Sequence, residues 1–197
     1  MMRTNSQPKD QRSISYIKSQ LSSYNDEKLT NAVLNAFNMM FKYMEPDGCL
    51  STSVELYVIL KYLGYTPKLC YGLVFLPNSE GEKHEIYHAW LELNNKVIDT
   101  AIYGNAKYSP YSFFDIEMPI CNESYEDIRD IADYHPFEFD EDWNGALISK
   151  FQGRKISEYC DASPNGFLWD IICMLSDLPR TNENKKHFRE VVEGDII

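Results

Sequence analysis

Apolar residues recur at helical spacing over two consecutive stretches and then switch to strand-like alternation, and the switch predicts the layout of the chain. From 27 to 44, Leu29, Ala32, Val33, Ala36, Phe37, Met40, Phe41 and Met44 mark the core face of an amphipathic helix, with Asn25-Asp26 as its cap. From 49 to 63, Leu50, Val54, Tyr57, Val58, Leu60 and Leu63 surround most of the circumference. That distribution predicts a helix buried inside the domain, with Asp47 as N-cap and Gly64 ending it. A strand comes next over 65–76, with Gly72 inside it, and 77–83 is a polar turn. Alternation over 86–93 and 96–100 predicts a hairpin, and Asn94-Asn95 suits a type I′ turn because asparagine tolerates positive φ. Elsewhere the pattern predicts short helices over 13–22 and 124–134, the second opened by Ser124-x-x-Asp127 and ended by His135-Pro136. It also predicts an apolar helix over 164–175 and a charged one over 182–193. Residues 101–119 read as an irregular aromatic segment that either roofs a site or simply packs; 137–142 read as an acidic connection, and 143–159 are ambiguous.

The hairpin has a consequence for side chains. A two-residue turn pairs Leu93 with Lys96, Leu91 with Ile98, Trp90 with Asp99 and His88 with Ala101. Opposed residues share a face, so His88, Trp90 and Asp99 project together, whereas Leu91, Leu93 and Ile98 form the other face. Asp99 is then the diagonal neighbour of His88, about 7 Å away at Cα. Cys49 stands in the first turn of the buried helix. The helix dipole there favours a negative charge by only about 0.3–1 kcal/mol, so a reactive thiol would need a histidine as well. Together these residues are the parts of a thiol acyl-transfer site. Cys49 would attack an acyl carbon, His88 would carry the proton, and Asp99 would hold the imidazole. Backbone N–H groups at the helix start, including that of Cys49, would receive the oxyanion, with Tyr43 and Asn38 as candidates for a second donor.

Composition narrows the class. The 197 residues, 44% of them hydrophobic, suffice for one domain over 13–197 behind a polar tail over 1–12, without repeats or an interdomain linker. A net charge of −11 argues against nucleic acid and anionic membranes as partners and welcomes a basic peptide. Five cysteines without a Cys-x-x-Cys pair suggest neither a zinc ribbon nor a disulfide framework, and no apolar leader or spanning run is present. Reduced thiols in a cytoplasmic setting, with no cofactor and no metal, are the expectation. The architecture expected is α+β: a buried nucleophile helix on a small antiparallel sheet, with further helices around it.

Gly48-Cys49-Leu50, Ser53, Leu56, Leu63-Gly64-Tyr65, Gly72, His88-Ala89-Trp90-Leu91-Glu92 and Val97-Ile98-Asp99 together resemble the transglutaminase-like superfamily of papain-like thiol enzymes. The Cys-Leu-x-x-Ser and His-Ala-Trp pieces look most like the lasso-peptide B2-type leader peptidases, although Thr52 stands where that pattern tends to carry a basic residue. The resemblance covers about 50 residues and implies Cys49 as nucleophile, His88 as base and Asp99 as third member.

Blander readings compete residue by residue. A lone cysteine is more often a small buried hydrophobe, a lone histidine more often structural, and Asp99 could simply cap the turn after it. Three functions from different classes therefore stand. The first is a thiol peptidase or amidase on a peptide or protein substrate, with transglutaminase or deamidase activity on the same three residues as a variant. The second is a peptide-binding module on the same scaffold, against which the intact set of three counts. The third is a metal-dependent hydrolase using His84 and His88, with Glu92 and Asp99 as possible carboxylates.

Overall fold

The computed structural model describes residues 11–43, 48–108, 114–137 and 153–197. The two N-terminal helices are α1 (Gln11–Leu21) and α2 (Glu27–Tyr43). Asp26 caps α2, its Oδ1 accepting the Lys28 and Leu29 N–H groups at 2.8 and 3.1 Å. Helix α3 (Cys49–Tyr62) is buried along nearly its whole length, as its all-round apolar pattern predicts. Gly64, at φ +88°, ends it, and the Tyr65 N–H returns to the Leu60 carbonyl. Gly48 occupies the N-cap position; the predicted cap, Asp47, lies outside the described residues.

Five strands form one antiparallel sheet in the order β4-β3-β2-β1-β5: β1 (Lys68–Pro77), β2 (Lys83–Leu93), β3 (Lys96–Asp99), β4 (Ile120–Ser124) and β5 (Asp133–Pro136). The turn between β2 and β3 has φ of 55° at Asn94 and 60° at Asn95, and Leu93 faces Lys96 while Leu91 faces Ile98. The hairpin register is therefore as expected. Its far end is not. Asp99 pairs with Ile120 on β4, and the chain turns at Ala101 into helix α4 (Ala101–Tyr108), so no His88–Ala101 ladder forms. The reason is local: the Asp99 carboxylate caps α4 and turns the backbone away from β2.

The expected 124–134 helix shrinks to one turn, α5 (Tyr125–Ile128), capped by Ser124 as predicted. The chain then enters β5, on the open edge of β1. The residue before a proline disfavours the helical region, and an edge strand tolerates Pro136. Between β3 and β4 the ladder shifts register at Asn122, whose φ of 60° is the mark of a bulge. The Asn122 side chain accepts from Tyr24 and donates to the Gln20 carbonyl, tying α1 to the sheet edge. Helix α6 (Ile156–Asp161) packs against α7 (Phe167–Leu175), which with α8 (Asn182–Val191) covers α3; Trp169, Cys173 and Phe188 are buried there. Mixed helix and antiparallel strand, with a buried helix against the sheet, is the α+β class expected. Of the aromatic segment over 101–119, the first eight residues are helical, Tyr103 and Phe114 are buried, and Tyr111 and Phe113 lie outside the described residues.

Candidate active site

Helix α3 meets strand β2 through a buried polar contact. Ser53 Oγ donates to the Ala89 carbonyl at 3.1 Å in the buried interior. Cys49 lies one helical turn before Ser53, and His88 lies one residue before Ala89. The Ser53 bond therefore fixes which part of the helix start faces which part of the strand. Cys49 and His88 are both buried, and the Cys49 sulfur lies near enough to the imidazole to raise its pKa.

On its other side the His88 ring meets Asp99, with Nε2 and Oδ2 2.7 Å apart. That contact occupies Nε2 and leaves Nδ1 as the other nitrogen of the ring. Asp99 itself accepts four hydrogen bonds. Its Oδ1 receives the Ala101 and Ile102 N–H groups, each at 3.0 Å, and its Oδ2 receives His88 and the Tyr134 hydroxyl, the latter at 2.7 Å. A buried carboxylate survives only when its lone pairs are met this fully.

Electrostatics follow from that geometry. Burial alone would pull the His88 pKa down, but the negative charges of Asp99 and Cys49, and the hydrogen bonds they make, outweigh it and push the ring from 6.5 up to about 10. Tyr134 is raised well above the ordinary phenol range by burial and then by the adjacent carboxylate, so it remains a donor. The other cysteines sit in different surroundings. Burial pushes Cys70 up to about 11, Cys121 and Cys160 up to about 12, and raises Cys173 as well.

The face predicted to carry His88, Trp90 and Asp99 is an aromatic wall. Trp90 packs edge-on against Tyr134 at 4.9 Å and donates to Tyr125, which in turn donates to Glu92. Tyr125 and Tyr134 are the members that sequence reasoning misses. Tyr134 falls inside the expected helix, and the available signal is the proline two residues later. Of the oxyanion candidates, Asn38 lies part-buried on α2, and the Tyr43 side chain lies outside the described residues. The first turn of α3 also borders a small cavity of ≈ 70 Å³, lined among others by Gly48, Ser51, Thr52, Met39 and Phe167.

The metal alternative finds no support in this arrangement. His84 sits on the exposed part of β2 beside Asn78 and Glu82, away from the buried trio. Among the described residues no group of three or more His, Cys, Asp and Glu could hold a metal ion. Nor, among them, is any helix long and apolar enough to cross a membrane.

Comparison with known proteins agrees with the fold. A family model described as the transglutaminase-like superfamily matches residues 4–112, more than half of the chain, and the protein belongs to that superfamily. Cys49, His88 and Asp99 all fall inside the matched segment; Tyr134 falls outside it. No curated protein and no solved structure matches the chain.

Proposed function

We propose that the protein is a thiol-dependent acyl-transfer enzyme with Cys49 as nucleophile, His88 as general acid–base and Asp99 as the third member. The best-supported activity is that of a cysteine peptidase or amidase on a peptide or protein amide. One observation carries the reading: a buried imidazole is hydrogen-bonded to a buried carboxylate and feels a buried sulfur at the start of an interior helix. A packed core has no use for a charged pair there, because burying it costs more than an apolar filling would.

At neutral pH a ring with its pKa near 10 carries a proton, so Sγ attacks as the partner of an imidazolium. Attack on the amide carbon forms the C–S bond and an oxyanion, which the free N–H groups of the first turn of α3 are oriented to receive. Collapse breaks the C–N bond, and the amine leaves with the His88 proton. The thioester is then opened by water, whose proton passes to His88 while the carboxylic acid departs and Sγ is released. An amine in place of water would make the same site a transglutaminase; water acting on a glutamine side-chain thioester would make it a deamidase. With a net charge of −11, basic peptide segments are the substrates the surface favours.

Alkylation tests the reading without a substrate. At about pH 6, iodoacetamide should label Cys49 well ahead of Cys70, Cys121, Cys160 and Cys173, and His88→Ala should slow that labelling. Even labelling of all five thiols would refute the assignment.

A further inference from the structure

Three polar groups of the site come from the family-matched segment, and a fourth reaches it from beyond. Strand β5 lies against β1 with Gly72 opposite Pro136. A Cβ on Gly72 would stand 2.1 Å from the His135 carbonyl oxygen, so the strand can close this far only against glycine. That closure carries Tyr134 to Asp99.

Orientation of Asp99 does not require Tyr134. Two backbone N–H groups already pin Oδ1 and with it the plane of the carboxylate. The tyrosine instead shares Oδ2 with His88, each at 2.7 Å, in a site where both Asp99 and His88 are 1% exposed. Two donors on one oxygen divide its negative charge. The groups facing Asp99 are His88 from β2, Tyr134 from β5 and the backbone of α4, with Cys49 of α3 beyond the ring; Tyr125 and Glu123 act on Tyr134 from α5 and β4.

We propose that Tyr134 is a positioning residue whose hydroxyl spreads the charge of Asp99 and so moderates the grip of that carboxylate on the His88 proton. The proposal rests on the acyl-transfer reading, in which His88 must surrender that proton to the leaving amine. A carboxylate without the tyrosine would hold the imidazolium more tightly and make it a weaker acid.

The full-length Tyr134→Phe variant keeps the ring against Trp90 and removes only the donor. Two readouts track the His88 proton: the upper inflection of the Cys49 alkylation rate against pH, with iodoacetamide as the probe, and the downfield proton resonance of His88 Nε2–H. In Tyr134→Phe the inflection should move up by roughly half to one pH unit, the net worth of one hydrogen bond, and the resonance should move downfield. Site-specific 3-fluorotyrosine at 134, a stronger donor of nearly the same shape, should shift both the opposite way, and it serves if the phenylalanine variant folds poorly. An unmoved inflection and resonance, or shifts of the reverse sign, would overturn the proposal while leaving the acyl-transfer reading intact. That reading falls instead if wild-type Cys49 alkylates like the other cysteines and ignores His88→Ala.

Discussion

The family-matched part of the chain and the part beyond it are built on different terms. In the first, α3 and the β2–β3 hairpin bury Ser53, Glu55, His88, Asp99 and Thr100 among apolar neighbours. In the second, over 114–137 and 153–197, Asn122 is buried, and Tyr134 buries a hydroxyl that reaches back to Asp99. There α7 and α8 present an apolar side to α3 and pair their charges away from it, as in Lys185–Asp170 and Arg189–Asp161. Among the cysteines, burial raises the pKa of Cys70 in the first region and of Cys121, Cys160 and Cys173 in the second, whereas Cys49 lies beside His88. The lesson is that burial over α6 to α8 serves packing, whereas around Asp99, with Tyr134 reaching in from β5, it accommodates a charged arrangement.

Substitution can separate the two. The largest effect expected is that of Asp99→Ala, which strands His88, Tyr134 and two backbone N–H groups at once. Removing one partner of a buried ion pair costs about 3–5 kcal/mol, readable by urea unfolding, and Cys49 alkylation should slow alongside it. The same variant should flatten the pH dependence of stability. The His88 pKa is raised from 6.5 to about 10 on folding, so its stabilisation is complete below about 6.5 and is lost as pH climbs towards 10. Thermal melts across that window should fall with pH in the parent and fall less in Asp99→Ala.

In the second region, Phe188→Ala empties a fully buried site on α8 and should also cost about 3–5 kcal/mol. Here the folded fraction should alkylate at Cys49 as fast as the parent does. If the Phe188→Ala variant instead lost selective labelling, the contrast between the regions would collapse. The smallest effect expected is that of Ser53→Ala, about 1 kcal/mol for the lost bond to Ala89. Its labelling rate should nonetheless drop measurably, because that bond sets the helix start against the histidine strand.

Much of this is legible in the residues, and the gaps have physical causes. The all-round apolar run of α3 and the Asn94-Asn95 turn are strong local signals, so the buried helix and the register of the first hairpin pairs can be read directly. With them comes the proximity of residues 88 and 99, which residue 49 joins through the family resemblance. Helix α4 is illegible because its start signal, Asp99, also serves the histidine, and a pattern of residues does not show one side chain holding two tasks. Strands β4 and β5 are only five and four residues long, one bulged and one ending in proline, and β5 pairs out of sequence order, with β1. Their alternation is too short to register, so Tyr134 reads as part of a helix. Ser53 and Gly72 stand out as family-like positions; only the packing says what each does.

Asp99 carries one more implication, for judging which relatives of this protein are active. Half of its bonds hold up a helix, so a lineage that abandoned chemistry would be under pressure to retain the aspartate and would look competent at that position. Residue 49 is a small buried side chain whose space serine or alanine could also occupy. On the proposed reading, loss of activity should therefore surface first as drift at the thiol, long before the carboxylate changes.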